Sequence, residues 1–207
     1  MLRYSKYSRG FTILELLVSI GIVVAILTVV VSNQSKYTEG AALSNLADEI
    51  GLTISQAQAY GIGVREFSPG SNDFSASYGL TFSLLGSGSN SAYLSFADRN
   101  GNKIYDGNWS CPVGGVSECL EKINISRGNY IESVCVVRTS GSDQCTEASR
   151  VDMSFLRPNT ETQLTFFNNG GNVFSPANLK GVRIVLKSPS GLTRSVIVYQ
   201  TGQVSVQ

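Results

Sequence analysis

The spacing of apolar residues divides the chain into an apolar run of membrane-spanning length, an amphipathic helix and a series of short strands. Between Ile13 and Val31, every residue except Glu15 is apolar, small or hydroxylated. About 20 such residues cross a hydrocarbon core ~30 Å thick. Apolar residues then recur at helical spacing, at positions 43, 46, 50, 54 and 57, and no proline occurs between residues 11 and 68. We predict one helix from about residue 12 to about residue 60, whose first half spans a membrane.

Beyond the helix, the pattern changes to short alternating runs typical of strands. Gly61-Ile62-Gly63 indicates a helix stop, and strands are predicted at residues 79–84, 92–96, 130–137, 163–167, 182–186 and 195–199. A turn at 200–203 and a returning strand at 204–206 predict a terminal hairpin with one buried face. The expected fold class is α+β, with a long N-terminal helix packed on a C-terminal antiparallel β domain.

The segment before the apolar run predicts an unusual processing site. Residues 1–10 carry three cations and no acid, and Gly10 immediately precedes the run. In an ordinary secretory signal the cleavage site follows the apolar region, whereas the attractive junction here, between Gly10 and Phe11, precedes it. Cleavage there would keep the apolar helix on the mature protein. A carboxylate in such a helix costs ~2.5 kcal/mol or more, so Glu15 is a candidate functional residue that needs a partner.

The segment Gly10-Phe11-Thr12-Ile13-Leu14-Glu15-Leu16-Leu17-Val18 resembles the class III signal of type IV prepilins and type II secretion pseudopilins. The resemblance implies that a prepilin peptidase cleaves after Gly10 and methylates the new amino group of Phe11. It also implies that Glu15 faces the N-terminal ammonium of a neighbouring subunit in a helical filament. An inner-membrane assembly platform and an extruding ATPase are the further partners that it implies.

This resemblance implies four segments: a leader at 1–10, a transmembrane and assembly segment at 11–31, an amphipathic segment at 32–60 and a β-rich pilin-like domain at 61–207. Residues 96–102 with Asp106, and the turn at 201–204, are similar to the H-type pseudopilins and related minor pilins. The implied location is the inner membrane, crossed once, with the β domain on the periplasmic or extracellular side, and then the extracytoplasmic filament. The alternative is a plain membrane anchor whose Glu15 reaches the headgroups.

One loop has the spacing of a calcium ligand set. Asp98, Asn100, Asn102 and Asp106 place oxygen donors at alternate positions, with Gly101 easing the turn. An EF-hand loop closes with a bidentate Glu at its twelfth position, where this chain has Trp109. The alternative is an Asx-rich turn in which these side chains bond their own backbone amides.

Four cysteines, Cys111, Cys119, Cys135 and Cys145, lie beyond the apolar run. An even number in an exported domain favours disulfides, with three connectivities open. Pairing Cys111 with Cys119 and Cys135 with Cys145 is favoured because short loops cost least to close. Free thiols and a zinc site are the alternatives, although the chain has neither C-x-x-C nor histidine.

Composition argues against catalysis and against nucleic acid as a partner. The formal net charge is +1, and loss of the leader would leave 13 basic and 15 acidic side chains, or −2. Without histidine or a nucleophile-plus-base signature, we expect no enzyme. Arg183, Lys187 and Arg194 could form a small basic patch, but residues 200–207 carry no charge. We expect a structural subunit, and the alternative is a filament-tip module that binds DNA, a surface or a secreted substrate.

Overall fold

The computed structural model describes residues 10–63, 66, 74, 76–112, 117–158 and 161–207. The predicted leader therefore lies outside the described residues, except for Gly10. Contacts divide the chain into two compact units, Met1–Glu39 and Gly40–Gln207. One helix, α1 (Ile13–Ile62), contributes to both units. The helix prediction is confirmed, with a start and an end within two residues of those expected.

Within the described residues, strands make up most of the second unit. They are β1 Ser77–Ser83, β2 Ala92–Asp98, β3 Cys119–Asn124, β4 Tyr130–Arg138, β5 Ala148–Phe155, β6 Thr162–Asn168, β7 Val173–Phe174, β8 Leu179–Lys187, β9 Thr193–Tyr199 and β10 Val204–Val206. One sheet has the order β3-β2-β1-β5-β6-β7 and the other β10-β9-β8-β4, and all pairs are antiparallel. The α+β fold class is thus confirmed.

One face of the second half of α1 is buried by the two sheets. The residues predicted from the helical spacing, Leu43, Leu46, Ile50, Ile54 and Ala57, are all buried. They join one core with the inward side chains of β1, β5, β8 and β9, among others. Full burial of a Leu or Ile side chain stabilises the fold by ~1.5–3 kcal/mol, so this stripe fixes α1 in the unit.

The stop predicted at Gly61-Ile62-Gly63 is confirmed, because α1 ends at Ile62. Gly61, in the last turn, has a packing role that the sequence did not suggest. A Cβ built on Gly61 would lie 2.3 Å from the carbonyl oxygen of Phe155. Glycine is therefore required there because the last turn of α1 approaches the backbone of β5 closely.

Three strands were not predicted, namely β3, β5 and β7. In β5, Val151, Met153 and Phe155 join the main core while Asp152 and Ser154, on the opposite face, are also buried. The opposite face is covered because Leu94 and Phe96 of β2 pack there against Tyr105 and Trp109 of the following loop. Polar residues on this face therefore resemble solvent-facing residues in the sequence but are enclosed in the fold.

Candidate functional sites

The N-terminus of α1 is closed by a capping interaction. The backbone N–H of Glu15 donates to Oγ1 of Thr12 at 3.2 Å, and the N–H of Leu16 donates to the Thr12 carbonyl at 3.1 Å. Thr12 is thus the N-cap residue and Glu15 is the third helical residue, which is the sequence spacing of a capping box. The helix therefore begins two residues after Phe11, with an acidic side chain in its first turn.

Beyond this cap, the apolar run has no protein cover. Gly10 and all side chains from Phe11 to Val31 are exposed, and the large apolar ones are 53% to 85% exposed. An 18-residue window of α1 has a mean hydropathy of 2.8 and no buried part, so the helix is long and apolar enough to cross a membrane. A helix that is apolar on all sides needs a non-aqueous environment.

The four candidate calcium ligands lie close together, but most of their oxygen atoms accept hydrogen bonds from backbone amides of the same loop. Oδ1 of Asp98 accepts the N–H of Gly101 at 2.8 Å, and Oδ2 accepts that of Lys103 at 2.8 Å. Oδ1 of Asn100 accepts the N–H of Asn102, and Oδ1 of Asn102 accepts that of Ile104. This is the hydrogen-bonding pattern of the Asx-rich turn.

Asp106 completes this turn from the side. Its Oδ2 accepts hydrogen bonds from the side-chain amides of Asn100 at 2.8 Å and Asn102 at 2.6 Å. In the described part of the chain, no group of three or more Cys, Asp or Glu side chains is arranged to hold a metal ion. The side chains of Asn100, Asn102 and Asp106 are thus joined by hydrogen bonds within the turn.

Two buried carboxylates that the sequence did not single out hold the loop after β2 against the sheet. Glu118 accepts the backbone N–H of Asp106 at 2.9 Å and that of Arg99 at 3.4 Å. Burial raises the pKa of Glu118, and the neighbouring Asp106 and Asp98 add to the rise while these two N–H groups oppose it. Hydrogen bonds to a buried carboxylate therefore help to hold the loop after β2 in place, in addition to its apolar contacts.

The other carboxylate is that of Asp152 on β5, which is fully buried. It pairs with Arg150 at 2.5 Å, and it accepts the hydroxyl of Thr81 at 2.6 Å and the N–H of Tyr105 at 2.9 Å. Burial raises its pKa, and the hydrogen bond and charge of Arg150 oppose that rise most strongly. The apolar alternation of Val151, Met153 and Phe155 was the sequence signal that could have revealed this strand.

We compared the chain with protein-family models, with curated proteins and with solved structures, and it matches none of them.

The cysteines form two disulfides, Cys111–Cys119 and Cys135–Cys145. These are the two short-range pairs favoured by the spacing, and all four cysteines are described and none is free. Because each sulfur atom is bonded to another cysteine sulfur, none of the four is a thiolate that could bind zinc. The first disulfide joins the loop after β2 to the start of β3, next to the cluster of Leu94, Phe96 and Tyr105.

Two members of the candidate basic patch are paired with acids. Arg183 forms an ion pair with Asp143 at 2.7 Å, and Lys187 forms one with Glu132 at 2.5 Å. The hydrogen bond to Glu132 raises the pKa of Lys187, so this lysine stays protonated. Affinity for nucleic acid comes largely from cations that neutralise phosphates and so release counterions. Arg183 and Lys187 already face carboxylates, so this arrangement gives no support to nucleic-acid binding.

Proposed function

We propose that this protein is a structural subunit of a helical filament, either a minor pilin or a pseudopilin, anchored in the inner membrane through α1. The β domain lies on the periplasmic side, and a prepilin peptidase removes residues 1–10 and methylates Phe11. One observation carries the proposal: the apolar segment of α1 up to Val31 is exposed on all sides, and its capped first turn holds a single carboxylate, Glu15. The protein acts through packing and is not an enzyme.

The exposed apolar surface of α1 supports two successive environments for this helix. Lipid surrounds it first, and the helices of other copies of the chain surround it later, in the filament. Lipid is the medium that an all-round apolar helix enters first. A helix meant only for lipid gains little from an acid: a carboxylate at the bilayer centre costs ~2.5 kcal/mol or more, whereas an acid at a helix N-terminus stabilises it by only ~0.3–1 kcal/mol. The acid is explained if a second environment, the bundle of helices within a filament, supplies a cationic partner.

The N-terminal amine of a cleaved chain is a suitable partner. Cleavage after Gly10 would place an ammonium on Phe11, next to the N-terminus of α1, which already carries about half a positive elementary charge from the helix dipole. An acid in the first turn offsets both charges within one chain. Against a neighbouring chain, the same acid and ammonium attract strongly once water is excluded.

Replacement of Glu15 by Ala tests the proposal. We expect the variant to be inserted and cleaved like the wild type but to be depleted from filaments sheared from the cell surface or recovered from the periplasm. Mass spectrometry of the wild type should show an N-methylated Phe11 terminus. Normal incorporation of Glu15→Ala into filaments, or an intact Met1 terminus in the wild type, would contradict the proposal. The protein would then be a β domain tethered to the membrane by a plain anchor.

A further inference from the structure

A cavity of about 420 Å³ opens between the turn after β1, the loop after β2 and strand β5. Pockets that hold small molecules measure ~300–1,000 Å³, so this cavity has the size for a small cyclic ligand. Its lining combines polar side chains with one indole ring, and it includes Ser87, Asp106, Gly107, Asn108, Trp109 and Arg150.

The wall formed by the loop after β2 is held in one shape by its own hydrogen bonds. The hydroxyl of Tyr105 donates to the carbonyl of Asn108 at 2.7 Å, and the N–H of Cys111 donates to the same oxygen at 2.9 Å. Oδ1 of Asn108 accepts the N–H of Ser110 at 2.9 Å. A Cβ built on Gly107 would lie 2.5 Å from the hydroxyl oxygen of Tyr105, so glycine is required where the loop crosses this ring. The wall therefore has its shape before a ligand arrives.

A second wall is a guanidinium group fixed by its neighbours. Nε and Nη2 of Arg150 donate to the carboxylate of Asp152, and Nη2 also donates to the carbonyl of Tyr105. The guanidinium carbon lies 4.3 Å from the centre of the Phe167 ring. The Arg150 side chain is still 19% exposed, and its Nη1 has no hydrogen-bond partner among the described residues. Arg150 thus offers two N–H donors to the cavity in a fixed orientation.

Further polar atoms at the cavity are available to a ligand. Within the part of the chain that the structure describes, no hydrogen bond is made by Nδ2 of Asn108, by the hydroxyl of Ser87 or by Oδ1 of Asp106. All three side chains are exposed. The cavity therefore offers amide and guanidinium donors, a carboxylate acceptor and a hydroxyl that can do both. A ligand that matches this set must itself donate and accept hydrogen bonds.

Trp109 supplies the apolar part of the cavity. It is half-buried and packs against the cluster of Leu94, Phe96 and Tyr105. Its Nε1 is enclosed and has no acceptor among the described residues, so the part of the indole ring that it can present to the cavity consists of carbon atoms. A carbon surface beside donors and acceptors suits a ring that has C–H groups on its faces and hydroxyls at its edge.

The charges at the cavity favour a neutral ligand. The positive charge of Arg150 is already paired with Asp152 at 2.5 Å, and Asp106 adds a second carboxylate. An anion would be repelled by these two carboxylates, and a cation would meet the positively charged N–H groups of Arg150. A molecule rich in hydroxyl groups and without charge avoids both costs.

We propose that this cavity binds a neutral pyranose, the six-membered ring of a sugar. Its hydroxyls bind Arg150, Asn108 and Asp106, and one C–H face of the ring lies against Trp109. A free sugar and a unit of a polysaccharide both offer this ring. The proposal is independent of the filament assignment, because all residues of the cavity belong to Gly40–Gln207.

The test follows the Nε1–H signal of Trp109, the only tryptophan of the chain. The full chain, labelled with ¹⁵N, is kept in a polyoxyethylene detergent, which has no sugar head group. The ligands are the methyl α-pyranosides of glucose, mannose and galactose, and the controls are cyclohexylmethanol and inorganic phosphate. We expect saturable shifts with at least one glycoside and none with either control. Tighter binding of the corresponding disaccharide would indicate a polysaccharide, and equal or weaker binding would indicate a free sugar.

Two variants and their matched controls tie binding to the cavity. Asn108→Asp keeps the oxygen that accepts the N–H of Ser110 but removes the free donor, and Ser87→Ala removes the free hydroxyl. Each should weaken binding about fivefold, which corresponds to about 1 kcal/mol and to the loss of one hydrogen bond. Asn90→Asp and Ser140→Ala make the same changes at exposed sites outside the cavity lining and should have no effect. Absence of saturable binding, an equal response to cyclohexylmethanol or phosphate, or equal effects of the cavity and control variants would overturn the proposal.

Discussion

Replacement of Glu15 by Gln separates the two roles that the structure allows for this residue. As the third helical residue after the Thr12 cap, Glu15 can support the helix terminus, and in that role Gln serves equally well. As the partner of a neighbouring ammonium, it must carry a charge, and Gln cannot replace it. Thr12→Ala is the matched variant, because it removes the capping oxygen and keeps the carboxylate.

The two roles differ in magnitude. Loss of the Thr12 cap costs ~1 kcal/mol, within a range of about 0.5–2 kcal/mol, and loss of a charge near a helix N-terminus costs ~0.3–1 kcal/mol. Neither threatens a helix of 50 residues. Leaving a buried ammonium without its partner costs ~3–5 kcal/mol, which corresponds to roughly 100- to 4,000-fold in an association constant.

The assay measures three quantities for each variant: the mass of the N-terminal peptide, the amount in the membrane, and the ratio of filament-bound to membrane-bound protein by immunoblot. We expect Thr12→Ala to be cleaved after Gly10 like the wild type, and to stay within about tenfold of the wild type in the membrane amount and in the filament-to-membrane ratio. Glu15→Gln should match the wild type in the first two and lose about 100-fold or more in the third. If the two variants assemble equally, or if Glu15→Gln assembles like the wild type, charge pairing is not the role of Glu15.

The remaining predictions concern the cleavage site, the core and the turn. Gly10→Leu should block removal of residues 1–10, seen as an unshifted mass of the membrane protein. Ile54→Ala should lower the free energy of unfolding by ~2–5 kcal/mol in urea titrations, because the side chain is fully buried between α1 and the sheets. Calcium at millimolar concentration should leave the melting temperature of the full chain unchanged, because backbone N–H groups already occupy the oxygens of the Asx-rich turn.

Each of these predictions has a control and a contrary outcome. For cleavage, the control Gly21→Leu, within the apolar run, should be processed normally, and processing of Gly10→Leu at the wild-type junction would contradict the assignment. For the core, Leu52→Ala changes a residue of the same helix that is 71% exposed and should stay within ~0.5 kcal/mol; an equal loss in both would contradict the packing. For the turn, a rise of several degrees with calcium but not with magnesium would establish a calcium site.

Local periodicity explains why α1 was predicted well and several strands were not. The apolar run is continuous, and the stripe through Ile50 and Ile54 depends only on residues three or four apart. Both patterns can therefore be recognised from the sequence alone. In β5, Val151, Met153 and Phe155 alternate with polar residues, but the sequence does not show that Arg150 and Asp152, on the other face, are covered in the fold. They are tolerated because Arg150, Thr81 and the loop after β2 satisfy the buried carboxylate. That compensation comes from residues distant in the chain.

The candidate sites divide in the same way. Gly10, Phe11 and Glu15 could be named from adjacent residues, and the terminal hairpin could be read from alternation alone. The role of Glu118 could not, because this residue binds the N–H of Asp106 from the far side of the intervening loop.

The sequence by itself determined an apolar helix of membrane-spanning length with one acid, and an amphipathic continuation that requires a sheet. These follow from hydrophobicity and backbone periodicity, which act over a few residues. Only the tertiary structure decided which carboxylates are buried and where a cavity remains. Burial and electrostatic environment depend on which distant segments pack together, and that packing is a property of the whole β domain.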